Sequence, residues 1–343
     1  MAYTTENIRN LALVGHSASG KTLLTEALLF KSGKIATQGA IEKGTTVSDF
    51  DPLEKEHLRS LDTALVGMDW KQAKINIFDT PGFSDFLGHA FGVLPAVENA
   101  VVVVNAQTGV EPVTIRMMER AQDRGVCRVI IVNKIDADEV DLEAVVQQIQ
   151  DAFGKECLPV NLPVNNKTGV IGCFTHAEGD ADIFDVESVH VALIEQIVEV
   201  DDDLMARYFE SGTENITREE LHDAFAKAMR EGHLVPICFT SALTGTGVSE
   251  FLDIIATWLP SPLEGNPPEF YRPDDDQPVQ LTPDPKLPFF AHTFKVMVDP
   301  FVGKLALFRI HQGTITPDTK LFIDDAKKSV KVGHLLTLHG KDR

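Results

Sequence analysis

The string Gly15-His16-Ser17-Ala18-Ser19-Gly20-Lys21-Thr22 joins two glycines, a lysine and a hydroxyl at a fixed spacing. Glycines let a backbone curl until successive N–H groups converge on one concavity, and a lysine adds a point charge there. A threonine at the first turn of the following helix offers a hard oxygen to a divalent cation. Such a set suits a polyphosphate. On this reading Gly15, His16, Ser17, Ala18, Ser19 and Gly20 form the cradle. Lys21 reaches the β- and γ-phosphates and Thr22 ligates Mg²⁺. The His16 imidazole is read as a packing or solvent group, its backbone N–H as the useful part.

Three further strings are spaced along the chain. Asp79-Thr80-Pro81-Gly82 places a carboxylate where it can hold Mg²⁺ through water and an N–H where it can face a γ-phosphate. Asp79 and Thr22 are therefore the expected metal residues. Lys21 and Gly82 are the expected catalytic groups, acting by charge stabilisation and positioning. Asn133-Lys134-Ile135-Asp136 names the base. The Asp136 carboxylate accepts from N1–H and N2–H₂ of guanine and finds no such donors on adenine. Asn133 buttresses the base and the loop, and the Lys134 stem covers the ring face. At Ser241-Ala242 a backbone N–H can donate to guanine O6. GTP or GDP with Mg²⁺ is thus the expected ligand. A P-loop kinase or ATPase is the competing class, and residues 133–136 argue against it.

These strings need elements to carry them. Apolar runs at 8–14, 74–78, 100–104, 128–132 and 235–240 read as buried strands. Amphipathic stretches at 21–32, 84–97, 113–124, 142–153 and 248–259 read as helices. Near-continuous Val/Ile/Leu strands alternating with helices mean a mostly parallel sheet with helices on both faces, an α/β class. Residues 36–59 read as a long exposed loop with a short helix near 53–58, and loops of that length are uncommon unless functional. The alternation pauses at 158–233, where three helical stretches follow β-like pieces; the last opens with a capping box at Thr217 and Glu220. The expected division is a nucleotide domain over 1–157 and 234–260, an insertion over 158–233, a Pro-rich acidic linker over 261–287, and the start of a β-barrel over 288–343.

The charge balance of 31 Lys and Arg against 51 Asp and Glu argues against diffuse binding to nucleic acid, DNA included, though not against docking on a ribonucleoprotein. The longest strand-like apolar run, 100–104, is far too short for a bilayer. Four widely spaced cysteines without a C-x-x-C pair read as reduced thiols in a cytoplasmic protein. Met117 and Met118 read as core filler. Asp51, Glu54 and Glu56 read as a solvated loop face rather than a metal cluster.

With residues 15–22, 79–86 (DTPGFSDF), 133–136, the Ser241-Ala242-Leu243 string and the Asp299-Pro300-Phe301-Val302-Gly303 string on the page, the chain resembles the translational GTPases, most closely the elongation factor G family. The resemblance implies a P-loop G domain with an inserted subdomain and the beginning of a translation-factor β-barrel. It implies GTP hydrolysis, the ribosome as partner, and Ser241, Ala242 and Leu243 beside the base. A monomer with no membrane partner is expected, and the chain reads as an N-terminal piece of a divergent paralogue. Three positions depart from the family pattern. Phe83 stands where the family has a water-orienting His, and phenylalanine has neither donor nor acceptor. Asp62 aligns with the family's Mg²⁺-ligating Thr, with Thr63, Thr45 or Thr46 as substitutes. Ala18 replaces an Asp. His89 is a candidate to rescue water positioning, and the 36–62 loop is expected to be mobile without a γ-phosphate because apolar anchors are few. A GTP- or GDP-sensing module with little hydrolysis is the alternative function.

Overall fold

The computed structural model describes residues 3–213, 215–272, 275–299, 303–323 and 329–342. Its centre is a seven-stranded sheet in the order β2-β3-β1-β4-β5-β9-β6. The strands are β1 (Ile8–Val14), β2 (Ala64–Trp70), β3 (Ala73–Asp79), β4 (Asn99–Asn105), β5 (Cys127–Asn133), β6 (Cys157–Pro159) and β9 (Val235–Thr240). All neighbours are parallel except β2, which returns antiparallel along β3. β4 and β5 are buried at every position, as strands covered on both faces must be.

Strand alternation divides the core in two. Leu11 and Leu13 face one cluster; Ala12 and Val14 face the other. The first cluster is closed by α1 (Lys21–Lys31), α6 (Val186–Val198), α8 (Arg218–Glu231) and α9 (Val248–Thr257). The second is closed by α3 (Leu87–Val93), α4 (Pro112–Asp123) and α5 (Leu142–Phe153), with Met117 and Met118 inside it. Because the strands run parallel, the chain leaves β1, β3, β5 and β9 at one edge, and the four strings gather there.

Several elements differ from the sequence expectation. The region expected as one helix over 84–97 is a 3₁₀ turn at Ser84–Phe86, α3, and a second 3₁₀ turn at Leu94–Ala96 that holds Pro95. The boundary drawn between 157 and 158 falls inside β6, which pairs with β9 in the main sheet. The stretch that follows gives the hairpin of β7 (Asn161–Val164) and β8 (Gly169–Gly172), then α6, α7 (Asp202–Ser211) and α8. The capping box at Thr217 and Glu220 is present. A short helix, α2 (Pro52–His57), lies in the long loop, one residue before its expected start.

Beyond the linker the chain is β-strand-rich. β10 (Phe290–Asp299) and β11 (Gly303–Gln312) form an antiparallel hairpin, and β12 (Lys320–Leu321) pairs with β13 (Val330–Lys331). Residues 300–302 of the string at 299–303 lie outside the described residues. The hairpin is bulged between Thr293 and Lys295. A bulge re-aims side chains, and here Phe294 packs edge-on against Phe78 of β3 at 5.3 Å. Arg309 of β11 reaches Glu98 at 2.6 Å. All four cysteines are free and buried.

Candidate functional site

The phosphate loop is shaped by backbone that glycine alone adopts easily. Gly15 has φ +129° and Gly20 φ +95°. A Cβ at Gly15 would collide with the Val103 carbonyl of β4, and one at Gly20 with the Asn133 amide. Ala18 lies in the left-handed region at φ +61°, where the Asp common in the family is better tolerated. Gly20 caps α1, so the N-terminal N–H groups of that helix open toward the loop. Lys21 is buried and donates to the Gly15 carbonyl at 3.0 Å and the His16 carbonyl at 2.7 Å. Burial pushes its ammonium down to about 8, against the pull of Asp79, Asp49 and Glu111. A buried cation with only carbonyl partners suits an incoming anion. The His16 Nε2 lies 3.4 Å from Glu111.

Asp79 is buried at the end of β3, where Oδ2 accepts from the Ser48 hydroxyl at 2.7 Å. Its Oδ1 is buried without a hydrogen-bond partner, as are the Ser19 and Thr46 hydroxyls. Burial pushes the Asp79 carboxyl up to about 6, partly offset by Ser48 and Lys21. Burial and the nearby Asp79 charge likewise push Asp49 up to about 6. The Thr22 hydroxyl meets the Ser60 hydroxyl at 3.1 Å, and Ser60 in turn bonds Asp49. Hard oxygens without partners among the described residues and two carboxylates that share the single Lys21 cation make a donor set that fits Mg²⁺. Gly82 approaches so closely that a Cβ would collide with Lys21 Nζ and the His16 carbonyl.

Residues 36–62 pass over this pocket. Apolar anchors are few, as expected: no apolar side chain of 36–62 is buried, and the anchors are polar. The buried Glu26 carboxylate accepts from Gly39 N at 3.0 Å and Val47 N at 2.6 Å. Gln38 donates to the Ala242 carbonyl at 3.0 Å. Asp51 caps α2, and Glu54 accepts from Asp51, Leu61 and Asp62 N–H groups. Asp62 does not face the metal pocket as its alignment suggested. Its Oδ1 lies 2.8 Å from Lys295 Nζ and 2.8 Å from His89 Nδ1. Thr63 donates to the His89 carbonyl and the Thr45 hydroxyl accepts from Ala40 N–H, while the Thr46 hydroxyl is buried without a partner among the described residues. His89 Nδ1 pairs with Asp62. Phe83 is 36% exposed and lies under the Arg59 guanidinium, 4.7 Å from ring centre to Cζ.

The base-reading strings divide their labour. Asn133 is buried; its amide donates to the Ser19 carbonyl at 3.0 Å and accepts from Ala242 N at 3.0 Å and Thr240. The side chain thus ties the phosphate loop to 241–242 rather than reaching outward. Lys134 has φ +65°, and its stem runs beside Gly20. Asp136 is exposed and lines an open cleft of about 790 Å³ with Asp138, Lys167, Thr168, Thr244 and Thr246. Ser241 and Ala242 are buried, whereas Leu243 is 72% exposed. Sequence reasoning missed Glu26, Ser48, Asp49 and Ser60. Each is a single polar residue in an aperiodic stretch or on a helix face, and only folding of the loop across β3 gives it a partner.

Residues 6–261 match the model of the elongation factor Tu GTP binding domain. Elongation factor G-like proteins from two strains of Mycobacterium tuberculosis are 34% identical over 331 residues, covering 92% of this chain and 46% of theirs. A crystal structure of a Thermus thermophilus protein superposes with a TM-score of 0.82 at 32% identity, over 98% of this chain and 50% of that one. The chain therefore spans about half the length of the relatives it matches. No helix among the described residues is long and apolar enough to cross a membrane. A match over residues 6–261, on a sheet that gathers the phosphate and base strings at one edge, implies guanine nucleotide binding: the chain belongs to the translation-factor GTPase family.

Proposed function

We propose that this chain binds GTP with Mg²⁺ and hydrolyses it to GDP and phosphate on the ribosome, as a cytoplasmic, monomeric elongation factor G-like protein without membrane or DNA partners. The observation that carries the reading is the buried meeting of Lys21, Asp79 and Gly82 beneath residues 15–22. Lys21 exchanges the Gly15 and His16 carbonyls for β- and γ-phosphate oxygens. Thr22 and Asp79 hold Mg²⁺, with Ser60 and Asp49 beside them. Bound there, Mg²⁺ neutralises charge on the phosphate oxygens. Gly82 N–H donates to the γ-phosphate, and glycine is needed for that approach. Asp136 accepts from guanine at the cleft mouth, and Asn133, which accepts from Ala242 N–H, braces residues 241–242 beside it; the Ser241 and Ala242 N–H groups are taken up within the chain, so the donor to guanine O6 expected there is not open. We also propose the domain division drawn from sequence, with the inserted stretch contributing β6 to the main sheet and the β10–β11 hairpin beginning a barrel.

The second reading, a nucleotide sensor with little hydrolysis, draws on one observation. The Phe83 ring stacks on Arg59 and offers water no polar atom. Single-turnover hydrolysis of GTP with and without ribosomes separates the two. Ribosome-stimulated phosphate release supports the first; tight GTP binding with no release in either condition supports the second. No guanine nucleotide binding would remove both.

A further inference from the structure

Asp62 and Lys295 come from segments far apart in sequence, the loop over the metal pocket and strand β10. Lys295 is only 14% exposed in its side chain. Its Nζ donates to the Thr63 carbonyl at 2.6 Å and pairs with Asp62 at 2.8 Å. Asp62 also accepts from Thr63 N at 2.7 Å and pairs with His89 in the first turn of α3. The bulge between Thr293 and Lys295 sends Phe294 onto Phe78 while the next residue, Lys295, reaches the loop. Two positions before Asp62, Ser60 meets Thr22. A short stretch of backbone, itself held by Glu54 at Leu61 and Asp62 N–H, therefore links the second region to the metal pocket.

We infer that Asp62 is a positioning residue: pinned by Lys295, it holds the loop so that Ser60 stays beside Thr22, which makes the geometry of the metal pocket depend on the docking of β10. This rests on reading that pocket as the Mg²⁺–nucleotide site. Coupling of this kind is reciprocal. A nucleotide state that moves Ser60 must strain or release β10, and undocking of β10 must loosen Ser60. The departure of Asp62 from the family pattern then has a use of its own: a threonine could not form the ion pair with Lys295.

Lys295→Met keeps the apolar stem and removes the charge; Asp62→Asn keeps the shape and removes the partner. In the nucleotide-free chain, hydrogen exchange at residues 48–63 is expected to speed up by about tenfold in either variant, and no further in the double variant. Lys295→Arg should retain wild-type protection. Fluorescent GDP release at saturating Mg²⁺ should accelerate about tenfold in both single variants, with no difference once Mg²⁺ is chelated. Unchanged exchange in both single variants, or additive effects in the double, overturns the proposal. Should a variant fail to fold, the Lys295→Arg and Asp62→Glu chains give the same comparison, and equal loss of protection in both overturns it. Failure of the wild-type chain to bind GDP would count against the nucleotide reading alone, since the exchange measurement needs no nucleotide.

Discussion

Asp136 is exposed and lines the open cleft, which leaves its carboxylate accessible for the base contact proposed above. Asp136→Asn replaces one acceptor oxygen with a donor facing guanine's own donors. A bidentate pair to a base edge contributes about 1–3 kcal/mol, so GTP affinity is expected to fall roughly 5- to 150-fold by the same conversion. Calorimetry with GTP and ATP on both chains checks this; equal affinity of the wild-type chain for the two nucleotides would refute the role. Phe83 bears on the rate. Loss of one positioning group in such sites costs about 10²–10³ in rate. Phe83→His is therefore expected to recover part of that loss on ribosomes, read by single-turnover hydrolysis. The recovery is partial because the smaller, polar imidazole replaces the phenyl face that Arg59 stacks on. If the Phe83 chain already hydrolyses as fast as a His-bearing relative, another group orders the water.

The first half of the loop over the pocket is held by one carboxylate. Glu26 is buried, and its acceptor oxygens hold Gly39 and Val47. Glu26→Ala leaves both N–H groups without partners, each worth about 1–3 kcal/mol if it stays buried. The loop can relieve that cost by opening to water. Faster hydrogen exchange confined to 39–48 is expected, with Glu26→Gln intermediate. The β10–β11 hairpin carries a different sensitivity. His292 Nδ1 and His311 Nε2 lie 2.7 Å apart, with Phe270 against both rings. Burial, then Arg309 and His292, pushes the His311 imidazole down to about 4. A histidine whose folded pKa lies below its ordinary value binds fewer protons when folded. Its contribution is complete above pH about 6.5 and is lost as pH falls toward 4. The raised Asp79 and Asp49 carboxyls act in the opposite sense, so the test is a difference: the stability of the wild-type chain relative to His311→Gln, read by thermal unfolding, should fall between pH 7.5 and 5.

Across the whole molecule, the described residues of the second region meet the sheet through the Phe294–Phe78 contact, through Gly340 N–H to the Leu65 carbonyl and Gly67 N–H to His339 on β2, and through a polar chain. In that chain Asn76 donates to Asn10, Asn10 donates to Glu98 at 2.8 Å, and Glu98 receives Arg309. Arg309 also donates to the Ala96 carbonyl at 3.0 Å. The Glu98 and Arg309 side chains are 11% and 16% exposed. Removing one partner of a buried pair costs about 3–5 kcal/mol, and residual exposure moves this toward the lower end. Arg309→Met is therefore expected to lower the urea midpoint and to separate unfolding of the second region from that of the sheet. A single unchanged transition would refute the role of the pair in docking.

The α/β class, the strand-to-helix alternation and the four ligand strings were legible from sequence because each rests on local physics. Strand burial appears as unbroken Val and Ile at 101–104 and 129–132. The phosphate loop appears as glycines that its own curl requires, and the cap of α8 as Thr217 and Glu220 three residues apart. Tertiary structure decided what depends on distant partners. β6 is three residues long and carries no period, and it becomes a strand only beside β9. Asp62 and Ser60 are two positions apart, and their alignment with the family put the carboxylate at the metal. The folded loop turns the serine to Thr22 and the aspartate to Lys295. Glu26 reads as one more polar residue of a helix until two backbone N–H groups of the loop arrive to bury it. Local sequence fixes what a residue can bond; the path of the chain fixes which partner it meets.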